Sequence, residues 1–278
     1  MRIAANVLAG ALLCASAEAA AQPAGADGVE EALVAIEEAA PDARMPLQER
    51  LLADLEERTS RFAAIAVDPE ASALRRALSG WALAELASEE ACEGIAAAAL
   101  AEVNEAPQDR ITFAIGLLRC GDSEPLRALL DPASPVIAAK AAITLAMERD
   151  AGAREAIDAL RAEPAMADLL LFLDIAMALL GDTSQPETLR ALLQQPSARA
   201  YAAIALVRQG DLGAVIDVRI AARDPDPWLR YHALEALVSA RREGTREVLY
   251  AAVDDVSPRV SRYAAREARL WRRRVGEP

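Results

Sequence analysis

From residue 29 onward apolar residues recur three and four positions apart, and Pro, Gly and Asp gather between the apolar segments. That spacing predicts helices, because 3.6 residues per turn put i, i+3, i+4 and i+7 on one face. Val29 to Ala40 and Pro46 to about Val67 read as two helices. In the second, Leu47, Leu51, Leu55, Phe62 and Ile65 fall near one face. Beyond them the pattern predicts helix pairs over 71–104, 107–131, 135–162, 165–195, 197–223 and 227–254, then a single helix over 258–274. In the first pair Trp81, Leu83 and Leu86 are expected to face inward. Pro107, Pro135, Pro227 and Pro258 stand just before or at helix starts, where a missing N–H costs little. Gly121, Gly181 and Gly210 stand at helix ends, where a left-handed residue closes the last turn.

One phrase returns along this pattern. Its fullest copy runs from Asp224-Pro225-Asp226-Pro227-Trp228-Leu229-Arg230 into Tyr231-His232-Ala233-Leu234. Shorter copies begin at Pro196 and Pro258, and Pro196, Pro227 and Pro258 are 31 residues apart. A fixed period of this size predicts stacked supersecondary units, none of which can bury its apolar face alone. The two helices before residue 68 lack the phrase and would cap the open end of the stack.

These residues, with the Gly-Asp mark at Gly121-Asp122, Gly181-Asp182 and Gly210-Asp211, resemble HEAT-like repeats. The nearest likeness is the short kind first described in phycobilin lyases, and it covers about residues 68–274. The resemblance implies an all-α fold, a right-handed α-solenoid of helix pairs. With the pattern of the earlier residues, the chain divides into a signal peptide (1–21), a linker with capping helices (22–67) and a repeat solenoid (68–278). It also implies an arginine ladder, in which Arg110, Arg199 and Arg230, with Arg75 as a weaker match, pair with aspartates of the preceding turn such as Asp224. Ala138, Leu170 and Ser261 interrupt that ladder. Fold is what such a likeness specifies, because this scaffold carries many functions.

The start of the chain reads as a secretory signal peptide. Arg2 is followed by the apolar run Ile3 to Ala15, and Ala19-Ala20-Ala21 precedes Gln22-Pro23. Bulky Leu13 argues against lipid attachment at Cys14. The apolar run Leu169 to Leu180 is too short to span a bilayer and contains Asp174. The expected location is the periplasm of a Gram-negative bacterium, with secretion as the alternative.

Charge narrows the partners. Residues 22–150 hold 24 acidic and 11 basic side chains, whereas 151–278 hold 18 of each. A net acidic chain lacks the basic face that nucleic acid needs. Catalytic chemistry finds little support. The single histidine excludes multi-His metal centres, including the paired His-Glu di-iron sites of some HEAT-like enzymes. No Gly-rich phosphate loop and no Ser–His–Asp set is present. No cofactor is expected. Asp174, the one candidate buried carboxylate, reads as a cap, a bond to a neighbouring repeat or a partly exposed residue rather than a catalyst.

Two features are candidates for contact. Tyr201, His232 and Tyr263 share the 31-residue spacing, with Trp228 and Tyr231 beside them and Arg262 at the position equivalent to Tyr231. This ridge is either a contact surface of hot-spot residue types or inter-repeat core. Arg259, Arg262, Arg266, Arg269 and Arg273 follow three- and four-residue steps and share one helix face, with Arg272 and Arg274 adding to it. That face would serve an acidic partner, anionic lipid headgroups or simply a polar cap. Cys92 and Cys120 sit at matching depths on antiparallel helices, so they form either a disulfide or two buried thiols. The leading functional expectation is a non-catalytic periplasmic scaffold that binds a protein partner. The alternatives are a chromophore lyase or isomerase, from the family likeness, and a membrane-surface organiser using the C-terminal arginines.

Overall fold

The computed structural model describes residues 28–39, 47–48, 51–52, 55–104, 107–241 and 244–275. The expected signal peptide lies outside the described residues. Every regular element among them is a helix, and the fold is an all-α solenoid of helix pairs. The chain divides into two compact units between residues 128 and 129.

The first unit contains α1 (Gly28–Glu38), α2 (Thr59–Ala66), α3 (Ala73–Leu86), α4 (Glu89–Leu100), α5 (Pro107–Arg119) and α6 (Glu124–Arg127). Serine caps begin α3 and α4: Ser72 and Ser88 accept hydrogen bonds from the N–H groups of Arg75 and Ala91. Leu51, Leu55, Phe62 and Ile65 are buried, as their spacing predicts, and share one core with Val29, Leu33 and Ile36 of α1. The two N-terminal helices therefore share one core with the first repeat. Leu83 and Leu86 enter this core fully and Trp81 partly. A Cβ on Gly80 would lie 2.6 Å from the Phe113 ring, so α3 and α5 approach closely only because Gly80 has no side chain. Cys92 and Cys120 are joined by a disulfide with a Cα–Cα distance of 5.8 Å. Next to Cys120 in sequence, Arg119 Nη1 donates to Glu85 Oε1 at 2.5 Å, an ion pair with both side chains buried.

The second unit alternates first helices α7 (Pro135–Met147), α9 (Leu170–Leu179), α11 (Pro196–Arg208), α13 (Pro227–Ala240) and α15 (Pro258–Val275) with second helices. These are α8 (Arg154–Arg161), α10 (Pro186–Leu192), α12 (Val215–Ala221) and α14 (Thr245–Ala251). The first helices pack in series, α7 on α9 through to α13 on α15. The second helices lie on them and make their main contacts with first helices rather than with one another.

The turns after α5, α7, α9 and α11 share one construction. Gly181 and Gly210 have φ of 94° and 92°. The following Asp182 and Asp211 N–H groups reach back to the Met177 and Leu206 carbonyls at 3.0 and 2.9 Å. Each aspartate then accepts from the N–H two residues on, at Ser184 or Gly213. Gly121 (φ 99°) and Asp122 build the same turn in the first unit. The turn after α7 is also the same, but Arg149 stands where the others have glycine, at φ 61°, with Asp150 bonded to the Leu145 carbonyl and to Gly152.

Candidate functional site

Glu148, the residue before that left-handed arginine, is the centre of a polar network on the second unit. Its carboxylate accepts from the Trp228 indole Nε1 at 3.2 Å and from Arg259 Nη2 at 2.8 and 3.0 Å, and lies 3.4 Å from His232 Nε2. Trp228 is fixed at the start of α13 by Asp226, whose carboxylate accepts its backbone N–H. On the other side of the imidazole, His232 Nδ1 lies 2.9 Å from Glu235 Oε2 and 3.2 Å from Arg208 Nη2. Arg208 also donates to Glu235 and to the Met147 carbonyl. The end of α7 is thus tied to α11, α13 and α15, two, three and four repeats further along. Side chains can bridge that many repeats only if the first-helix face of this unit is drawn in on itself.

Burial sets the electrostatics of the network. Burial, with the neighbouring charge of Arg149, pulls the Arg208 guanidinium down to about 10, so it remains a cation at neutral pH. Burial acts to raise Glu235, but the His232 hydrogen bond and the Arg208 and Arg149 charges outweigh it and hold the carboxyl below its ordinary range. Each carboxylate thus has a cationic partner, as a low-dielectric position requires. His232 itself is 0% exposed, and its hydrogen-bond partners are Glu235 and Arg208. A base enclosed in this way has no reach to a substrate proton. Among the described residues no group of three or more His, Cys, Asp or Glu is placed to hold a metal ion.

The structure divides the candidate ridge. Tyr201 and Trp228 are each 8% exposed and pack ring to ring at 6.2 Å, with His232 edge-on to Trp228 at 5.1 Å. Tyr231 and Tyr263 are half-buried and lie edge to face at 5.1 Å. The Arg259 guanidinium lies 4.0 Å from the Tyr231 ring centre and that of Arg266 lies 5.1 Å from Tyr263. Arg262 and Arg266 are exposed, as are Arg269, Arg272 and Arg273. One side of the ridge is therefore core, and the other is a surface of stacked rings and guanidinium groups. Arg259 leaves the expected basic face, because Glu148 holds it.

The arginine ladder exists with different partners. Arg230 does not pair with the Asp224 carboxylate: its Nε and Nη2 reach Asp255 of the next turn at 2.8 and 2.7 Å. Its Nη1 takes the Asp224 and Pro225 carbonyl oxygens. Arg199 pairs with Asp217 on α12 at 2.6 Å, and Arg110 is exposed. In the first unit the equivalent residue is Arg76, one place beyond Arg75. It donates to the Ala71 carbonyl and to Asn104 Oδ1, which stands where Asp255 stands for Arg230. Arg75 instead binds Glu37 on α1. Asp174 accepts from Arg161 Nε and Nη2 at 2.9 and 2.8 Å, a bond from α9 to α8 of the preceding pair.

Sequence reasoning missed Glu148 and Arg208. Arg208 gave no signal. Glu148-Arg149-Asp150 did, since it replaces Gly in a mark that the neighbouring repeats keep.

No family model matches this sequence, and no curated protein does. Among solved structures the chain is similar to human deoxyhypusine hydroxylase in complex with glycerol. The two share 16% identity over 78% of this chain and 98% of that one, with a TM-score of 0.37. A likeness at that level carries no inference about activity.

Proposed function

We propose that the chain is a non-catalytic, exported scaffold of short HEAT-like repeats that binds a protein partner through the exposed edge of α13 and α15. The observation that carries the proposal is the stack of Arg259, Tyr231, Tyr263 and Arg266. Tyrosine and arginine are the residue types that dominate interface energies, and rings already held by neighbours lose little freedom on binding. The recurring Asp-Pro, Leu-Arg and Gly-Asp residues support the phycobilin-lyase type of repeat. The pattern of residues 1–21 supports export to the periplasm. No observation favours chemistry on a chromophore. The exposed arginines of α15 support one second reading, attachment to an anionic membrane surface, which flotation with anionic vesicles at low and high salt tests.

The main test is affinity capture from the source organism's envelope with native bait and with a Tyr263→Ala/Arg266→Ala bait. Tyr201 and His232 are unsuitable for this comparison because they are core residues. The native bait is expected to retain a specific partner that the variant, unchanged in circular dichroism, loses by about tenfold or more. Equal retention by both baits would remove this edge as the contact surface.

A further inference from the structure

On the opposite side of the second unit, α12 and α14 flank a cleft of about 710 Å³. Its apolar lining is Ile216, Ile220, Ala222, Val248, Ala251 and Ala252, and the exposed Glu247 and the largely buried Arg230–Asp255 ion pair also line it. Ile216 is 69% exposed and Ile220 52% exposed, so two branched apolar side chains stand in solvent on one face of α12.

The repeat itself shows that this is a departure. The second helices align by their buried residues: Ile157 and Leu160 in α8, Leu189 and Leu192 in α10, Val218 and Ala221 in α12, Leu249 and Ala252 in α14. In that register Ile216 corresponds to Glu155, Glu187 and Glu247, all exposed. Ile220 corresponds to Ala159, Ala191 and Ala251, also exposed. Three of these second helices thus place Glu and Ala toward solvent where α12 places two isoleucines. Folding does not require them, since the same scaffold is built three times without them.

The charges beside the cleft define the other half of the site. Arg219 and Arg223 line it and make no ion pair among the described residues, whereas Arg199, Arg208 and Arg230 of the adjoining helices are each paired. An apolar floor beside two cations that have no ion pair among the described residues, against the single unpaired lining carboxylate Glu247, is complementary to a helix with an apolar stripe flanked by carboxylates.

We infer that the α12–α14 cleft is a docking site for a short, acidic amphipathic helix of a partner protein. Leucine-type residues of that helix would cover Ile216, Ile220 and Val248, and its carboxylates would meet Arg219 and Arg223. This rests on the protein-binding reading above but uses a different surface, so each can fail without the other.

The test is fluorescence anisotropy with a labelled, stapled helix of about four turns carrying leucines at i, i+4 and i+7 and glutamates on both flanks. The native chain is expected to bind it. Ile216→Glu/Ile220→Ala, which restores the residues of the sister helices and so preserves the fold, is expected to weaken binding by about tenfold or more. Arg219→Ala/Arg223→Ala is expected to weaken binding at low salt and to have less effect at high salt. Tyr263→Ala/Arg266→Ala is expected to leave it unchanged, which separates this site from the α13–α15 edge. Absence of binding, or binding indifferent to Ile216→Glu/Ile220→Ala, overturns the assignment. So does sedimentation showing a native dimer that this variant turns into a monomer, because the occupant would then be a second copy of the chain.

Discussion

Two faces of the second unit are built from the same repeats and treated in opposite ways. On the first-helix face, Glu148 reaches Trp228, His232 and Arg259, and polar side chains from three further helices pair with one another. On the second-helix face, α12 and α14 leave a largely apolar cleft lined also by Arg219 and Arg223, which make no ion pair among the described residues. Each face is marked by a break in the repeat: Arg149 where the turns after α5, α9 and α11 have glycine, and Ile216 with Ile220 where the sister helices have Glu and Ala. Regular positions build the stack, and the irregular ones close one face and open the other.

The largest effect should come from removing a cation inside the bridge. Arg208→Ala strips Glu235 of a buried partner and is expected to cost about 3–5 kcal/mol in urea unfolding. A cost near zero would make the network incidental.

Asp224 should give the next effect. Burial raises its carboxyl to about 6 from an ordinary 3.8, opposed by the hydrogen bond it accepts from the Asp226 N–H. The folded state therefore holds this proton more tightly than the unfolded chain. The resulting stabilisation is complete below about pH 3.8 and is lost as the pH rises through about 6. The stability of the native chain relative to Asp224→Asn should accordingly fall by up to about 3 kcal/mol between pH 4 and pH 7. A flat difference would contradict the burial argument.

Arg149→Gly is expected to stabilise by up to about 1 kcal/mol, because a non-glycine residue is strained in left-handed backbone. The change also removes the charge that disfavours the Arg208 cation. The smallest effect belongs to the open face: Ile216→Glu should change stability by no more than about 0.5 kcal/mol. A large loss there would make the cleft part of the core.

The helices and their turns were legible because local physics writes them. Helical spacing placed Leu51, Phe62 and Leu83 in the core, and left-handed turns call for glycine at Gly121, Gly181 and Gly210. The ladder was half legible. The phrase marks Arg230, but its carboxylate comes from Asp255 in the next turn, and in Arg75-Arg76 nothing local says which arginine turns inward. The 31-residue spacing could align Tyr201, His232 and Tyr263 without saying which would be buried. That depends on Glu148, which is 80 residues from Trp228 and 111 from Arg259, far outside any repeat period.

The bridge across the first-helix face is the feature on which the comparison turns, and a double-mutant cycle tests it most directly. Glu148→Ala, Arg259→Ala and the double variant would be unfolded in urea beside the native chain. A closed face predicts that the two losses are strongly non-additive, with a coupling of about 1–3 kcal/mol. Additive losses would show that α7 and α15 do not hold each other in solution, and the contrast between a closed and an open face would fall.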